Sequence, residues 1–178
     1  MTELAKEYGD GLYALAREEG LMAELLEQMT GVEQLFREEP DFLRLLGNMS
    51  LPKAERVNIL DNAFRGQVHP YLLNFLKILC ERGSLNEFSA CRAAYYAVYR
   101  KEFSIAEATV TTAAPLNETQ RAQLLEKLTG MTGKQIVLHE KLDESLMGGV
   151  LLEMEGRTYD NTVRNRLKNV HEAMVQEM

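Results

Sequence analysis

The sequence predicts a mainly α-helical protein, with an N-terminal six-helix bundle followed by a small α/β C-terminal domain. Apolar residues recur at three- and four-residue spacing through the first hundred positions, and β-branched alternation begins only after residue 105. The breaks between the helical stretches are short, as in a bundle whose successive helices are neighbours. At 178 residues the chain can bury about 70% of its unfolded surface, so its core needs neither metal nor disulfide. Hydrophobic residues at 46% and charged residues at 26% argue against disorder. The absence of Trp beside nine Met favours a helical interior rich in Leu, Met and Ala.

Leu4, Tyr8, Leu12, Leu15 and Ala16 form the first stripe, behind Thr2 as N-cap, and Gly20 stops it. Leu21, Leu25, Met29, Val32 and Phe36 form the second, ended by Pro40. A short third helix carries Phe42, Leu45 and Leu46 and closes at Gly47-Asn48. Ser50 is the expected cap of a fourth, with Pro52 in its first turn and Val57, Leu60 and Phe64 inward. Pro70 opens a fifth with Leu72, Phe75, Leu76 and Leu79, ending near Gly83. The sixth runs from about Asn86 to Ser104 on Phe88, Cys91, Tyr95, Val98 and Tyr99.

Beyond this point the periodicity changes. Thr109 to Ala113 is β-branched and alternating, which predicts a strand. Asn117 with Gln120 reads as a capping box for a helix carrying Leu124, Leu125 and Leu128, which Gly130 and Gly133 end. Gln135 to Glu140 and Val150 to Met154 read as two further strands, with a turn at Gly156. Val163, Leu167, Val170 and Met174 then recur as one face of a C-terminal helix. The expected domains are therefore 1–105 and 106–178.

A net charge of −7 gives no basic footprint for nucleic acid. The acidity is uneven: residues 1–41 hold eleven acids and three bases, net −8, and the remainder is nearly neutral. That charge is either a solvated face or a surface that steers a basic partner. Cys80 and Cys91 are spaced neither as a redox pair nor as a zinc half-site and read as buried thiols. The N-terminus lacks the basic and apolar regions of a secretory signal, and no apolar run approaches the ~18 residues of a membrane span. The expected setting is cytoplasmic.

The residues that carry catalysis are hard to find. His69, His139 and His171 are scattered, and no two share the helical spacing that binds zinc, so no metal or cofactor is expected. Gly130-Met131-Thr132-Gly133-Lys134-Gln135 resembles the end of a phosphate-binding loop, but Leu128 and Gln135 replace the Gly and the Ser/Thr it requires.

One cluster is denser. Asp143-Glu144-Ser145-Leu146-Met147-Gly148-Gly149-Val150 leads into a strand, and Gly156 to Leu167 follows with Asp160, Arg164 and Arg166. Gly148-Gly149 permits backbone angles or a close approach denied to other residues, and Asp160 is placed to cap the last helix. This arrangement resembles the C-terminal signature of the delta subunit of F-type ATP synthases, the family of the mitochondrial oligomycin-sensitivity-conferring protein. Tyr8 to Ala16, Asn74 to Gly83 and Thr111-Thr112-Ala113-Ala114-Pro115-Leu116 resemble that family's first helix, its fifth helix and turn, and its entry to the second domain. Gly9 and Gly11 stand where small alanines are usual.

The resemblance implies a non-catalytic stator component on the cytoplasmic face of a bacterial cell membrane, peripheral to it. The helical domain would hold N-terminal segments of the alpha subunits, and the C-terminal domain the ends of the b subunits of the peripheral stalk. It implies an alpha-subunit groove between the first and fifth helices, bordered here by Tyr8, Gly11, Leu12 and Leu15 and faced by Leu76 and Leu79. Gly148, Gly149, Asp160, Arg164 and Leu167 mark the stalk side. Two other readings compete: a cytosolic nucleotide-binding enzyme using Gly130 to Lys134, and a freestanding acidic adaptor. On the two-domain reading a 1–105 fragment folds alone and shows a helical circular-dichroism spectrum; a random-coil spectrum contradicts the division.

Overall fold

Helices make up most of the chain, and a four-stranded sheet is confined to its C-terminal part. The computed structural model describes residues 2–48 and 50–167, and contacts divide the chain into two units, Met1–Tyr99 and Arg100–Met178.

In the first unit Thr2 Oγ1 accepts the Ala5 N–H at 3.4 Å and starts α1, Glu3–Glu18. Gly20, at φ +71°, turns the chain into α2, Met22–Glu38. Pro40 opens α3, Pro40–Gly47, where its missing N–H costs no bond. Ser50 does not cap α4, Lys53–Phe64: Pro52 holds the N-cap position, and the Ser50 N–H instead donates to Asn48 Oδ1 at 2.9 Å within the preceding turn. His69 Nδ1 accepts the Tyr71 N–H at 3.3 Å at the start of α5, Pro70–Arg82, and Gly83 ends it at φ +69°. The sixth helix, α6, is Phe88–Glu102, shorter at both ends than its periodicity suggested: Leu85–Glu87 forms a separate 3₁₀ turn before it, and Ser104, at φ +51°, turns the chain after it.

Leu25, Met29, Leu46, Leu60, Leu72, Leu76 and Leu79 are all fully buried in the core of this unit. Phe36 stacks edge-on against Phe64 and Phe88, at centroid distances of 6.1 and 5.6 Å. The buried Tyr95 hydroxyl donates to the Met22 carbonyl at 2.9 Å, and burial raises its pKa far above that of free tyrosine. Both cysteines are buried, and burial pushes the Cys91 thiol up to about 11. Arg56, only 2% exposed, donates from Nη1 to the Leu46 carbonyl at 3.1 Å. This places a cation at the carbonyl end of α3, where the helix dipole favours it.

The second unit is a sheet in the order β2-β1-β3-β4. Strand β1, Ile105–Thr112, runs parallel to β2, Gln135–Leu142, through the crossover helix α7, Glu118–Thr132. It runs antiparallel to β3, Val150–Met154, which pairs with β4, Arg157–Asp160. Asn117 and Gln120 form the expected reciprocal box, with bonds of 2.8 and 3.0 Å. Strand β1 starts four residues earlier than expected because Ala106 and Ala108 alternate inward although alanine favours strands little. Strand β4 is an addition: its four residues are all exposed and carry no apolar alternation to announce it. Ala108, Leu128 and Met154 centre this smaller core.

Within the first unit two helices meet closely at Gly9. A Cβ there would lie 2.7 Å from both Ala94 Cβ and the Cys91 carbonyl oxygen of α6. Gly9→Ala is expected to destabilise the protein by about 1–3 kcal/mol through this overpacking, and so lower the Tm by several degrees in a thermal melt.

Candidate partner-binding site

Helices α1 and α5 leave an apolar groove between them, with a volume of about 250 Å³. Tyr8, Gly11, Leu12 and Leu15 form its α1 wall, so four residues expected there do lie together. They share a wall because their spacing of three and four residues keeps them on one helix face. Leu15 is 37% exposed, whereas Leu12, at 6%, belongs mainly to the core.

The α5 wall differs from the expected one. Leu76 and Leu79 are fully buried in the core of the first unit, so neither lines the groove. Tyr71, Asn74, Phe75 and Ile78 form the wall instead, and Ile78 is 43% exposed. The fifth helix is apolar over two adjacent stripes, and the groove uses the one displaced by a single residue from the core stripe. Asn74, exposed between the apolar pairs Leu72-Leu73 and Phe75-Leu76, was the available signal for the outward phase. Of the two α1 glycines, Gly9 accommodates α6 and lies outside the groove, whereas Gly11 is open, since a Cβ placed on it would meet nothing within 4 Å.

The groove is a firm surface with an acidic edge. Tyr8 packs edge-on against Phe75 at 6.2 Å, and the Arg82 guanidinium lies 5.5 Å from the Tyr8 ring centre. Glu7 stands on the α1 rim, and Tyr71 Oη donates to Glu19 Oε1 at 3.5 Å. An apolar trough of this kind suits the apolar face of a helix, and the surrounding carboxylates suit basic flanking residues.

The phosphate-loop reading fails on position. Phosphate cradles use free N–H groups at a helix N-terminus, whereas Gly130 lies within the last turns of α7 and Gly133, at φ +66°, is its C-cap. The dipole there is negative, and Lys134 is already paired with Glu155.

The C-terminal signature is a crossing of two chain segments. Asp143 Oδ1 accepts the Ser145 N–H at 2.9 Å, and Leu146 is buried behind it. Gly148 and Gly149 follow at φ +135° and +84°. Their backbone passes directly beside residues 161–163: the Val163 N–H donates to the Gly148 carbonyl at 3.1 Å, and the Asn161 N–H to the Val150 carbonyl at 2.9 Å. Asp160 does not cap the helix that begins at residue 163. Its Oδ1 accepts the Thr162 N–H at 3.0 Å, and Thr162 Oγ1 then accepts the Asn165 N–H at 3.2 Å, making Thr162 the cap. Hydrogen bonding by the Ser145 side chain and N–H to Asp143, and by the Thr162 N–H and side chain to Asp160, holds both carboxyls below the ordinary aspartate range. Arg164 is exposed and acts on Asp143 through its charge, and Leu167 is 61% exposed. Val170 and Met174 of the expected stripe lie outside the described residues.

A family model described as "ATP synthase delta (OSCP) subunit" matches residues 4–174. ATP synthase subunit delta of Clostridium kluyveri is 29% identical over 173 residues, covering 97% of this chain and 96% of the relative. The subunit of the same name from Synechococcus elongatus is 29% identical over 170 residues, covering 95% and 94%. Among solved structures, a chain of the Toxoplasma gondii mitochondrial ATP synthase hexamer matches with a TM-score of 0.68 over 98% of both chains. At 19% identity that match speaks for the fold alone.

Gly149 and Gly156 separate the two roles of glycine in the signature. A Cβ on Gly149 would lie 2.4 Å from the Asn161 carbonyl oxygen, whereas one on Gly156, at φ +75°, meets nothing within 4 Å. Gly156→Ala is expected to cost about 1–2 kcal/mol for its backbone angle alone, and Gly149→Ala more by at least ~1 kcal/mol, as read from urea unfolding.

Proposed function

The chain belongs to the ATP synthase delta (OSCP) subunit family, and we propose that it ties the catalytic head of that enzyme to its peripheral stalk. It is a structural subunit of a membrane-bound ATP synthase complex, not a catalytic one. Among the described residues no helix is long and apolar enough to cross a membrane.

In the proposed arrangement an N-terminal helical bundle, residues 1–105, takes N-terminal segments of the alpha subunits, and residues 106–178 take the C-terminal ends of the b subunits. The subunit then sits peripherally at the cytoplasmic face of the bacterial membrane. The observation that carries the reading is the α1–α5 groove, an apolar trough beside helices of strong negative charge. An amphipathic alpha-subunit helix fills it with its apolar face. The net −8 on residues 1–41 draws in its basic residues, mainly as a salt-dependent association rate.

A stator requires no reacting group. Torque from the rotor must be resisted at both ends of the subunit, so the work falls to buried apolar contact and to two units that each hold their shape. If either end slips, the head turns with the rotor and nucleotide synthesis stops. On the stalk side, exposed Val163 and Leu167 with Arg164 offer an apolar and basic strip for a b-subunit helix.

Gly11→Leu tests the groove. The substitution fills open space, and replacing a helical glycine favours the helix by up to ~1 kcal/mol, so the Tm is expected to hold or rise. Affinity for an alpha-subunit N-terminal peptide is expected to fall at least tenfold, about 1.4 kcal/mol, in a calorimetric titration. Unchanged binding by Gly11→Leu, with binding abolished by Lys53→Glu on α4, places the contact elsewhere.

A further inference from the structure

The first turn of α5 is capped by a histidine, and nothing in the proposed function uses it. Helices are usually capped by Ser, Thr, Asn or Asp, whose side-chain oxygens accept across the whole range near neutral pH. At α5 the Pro70 nitrogen carries no hydrogen, so the Tyr71 N–H is the first donor that needs a partner. His69 Nδ1 accepts it at 3.3 Å. That bond has a condition that an oxygen cap does not impose. An imidazole nitrogen accepts only through a bare lone pair, and the protonated ring carries N–H on both nitrogens and is a donor only. Protonation of His69 therefore sets one N–H against another. It also places a positive charge at the positive end of the helix dipole.

The groups around His69 come from several elements. Its backbone N–H donates to Gln28 Oε1 of α2 at 2.7 Å, and Gln28 Nε2 donates in turn to Glu24 Oε1 at 3.0 Å. Its ring lies 4.9 Å from that of Tyr71. Tyr71 belongs to the α5 wall of the α1–α5 groove, and its hydroxyl donates to Glu19 Oε1, at the C-cap of α1. Arg65, at the end of α4, is paired with Asp61. The carboxylates linked to His69 are thus Glu24 and Glu19, each through one intervening residue. Both attract the ring once it is charged. The neutral ring stays on the Tyr71 N–H, and the charged ring is drawn off it. His139 responds in the opposite sense, since its Nε2 lies 3.8 Å from Glu107 Oε1 and protonation strengthens that pair. His171 lies outside the described residues.

We propose that His69 is a proton switch on the α1–α5 groove. Neutral, it holds the first turn of α5 and keeps Tyr71 in the groove wall; protonated, it releases both and weakens the hold on the alpha-subunit helix. The proposal rests on the proposed reading of that groove. What the cap contributes is present while the ring is neutral and is lost as the pH falls. Histidine is the side chain that ordinarily changes charge between about pH 5 and 8, so acidification within that range loosens the head from the subunit.

The test is a calorimetric titration of the full chain with a synthetic alpha-subunit N-terminal peptide, at about pH 8 and about pH 5.5. His69→Asn is the comparison, because Asn accepts the same N–H through Oδ1 and does not titrate. Wild type is expected to lose about fivefold in affinity at the lower pH beyond any loss by His69→Asn, the equilibrium factor of one helix cap. The far-ultraviolet circular dichroism of both proteins is expected to hold. In NMR spectra the wild-type Tyr71 amide is expected to shift as the His69 ring titrates, and the same amide in His69→Asn to stay fixed. Equal loss of affinity by wild type and His69→Asn overturns the proposal and leaves the groove reading standing. No peptide binding at either pH overturns the groove reading. In that case a Tyr71 amide that follows the His69 ring upholds the switch on α5, and a fixed one overturns it as well.

Discussion

The contact of Gly9 with α6 governs the rest of the helical unit. With Ala94 Cβ and the Cys91 carbonyl 2.7 Å from the position of a Cβ, α1 can approach α6 this closely only with glycine at that point. The contact fixes the rotation of α1 about its own axis. Ala5, Leu12, Tyr13 and Ala16 then turn inward, and Gly11 and Leu15 turn outward beside α5. A rotation by one residue, about 100° of helix, would bury Gly11 and close the groove. Two glycines two positions apart thus do opposite things. One lets α1 pack closely on α6; the other leaves space on the surface of α1.

A close crossing also organises the C-terminal unit. Gly149 lies under the backbone of Asn161 and Thr162, so the end of β4 and the start of the following helix are pinned to the start of β3. Thr162, 2% exposed, caps that helix from inside the crossing, which sets its direction at its first residue. The exposed Leu167 lies on it. In both units, therefore, a glycine without room for a side chain positions an apolar surface that is not consumed by the core.

What the sequence revealed, and what it hid, follows from how each feature is encoded. Helices with one clean apolar stripe, such as α1 and α2, are legible because burial on one face requires that period. The α5 wall of the groove was not, since Leu72 to Leu79 is apolar on two faces and periodicity alone does not say which meets the core. Strand β4 was hidden because Arg157 to Asp160 is exposed on both faces and is held by backbone pairing with β3 rather than by burial. The role of Asp160 was read one step short. An aspartate before a helix suggests a cap, but its carboxylate fixes the turn, and the less conspicuous Thr162 caps. The glycine pair of the signature was legible in chemistry, whereas the segment it makes room for, twelve residues further on, depended on the fold.

The proposed stator role requires one chain to grip the head through its helical unit and the stalk through its sheet unit. The most direct measurement is capture from solubilised membranes with the full chain and with residues 1–105 as bait, probing for alpha and b subunits under conditions that separate head from stalk. The full chain is expected to retain both, and 1–105 to retain alpha alone. Retention of b by 1–105, or loss of alpha from it while the fragment remains helical, would contradict the proposed role.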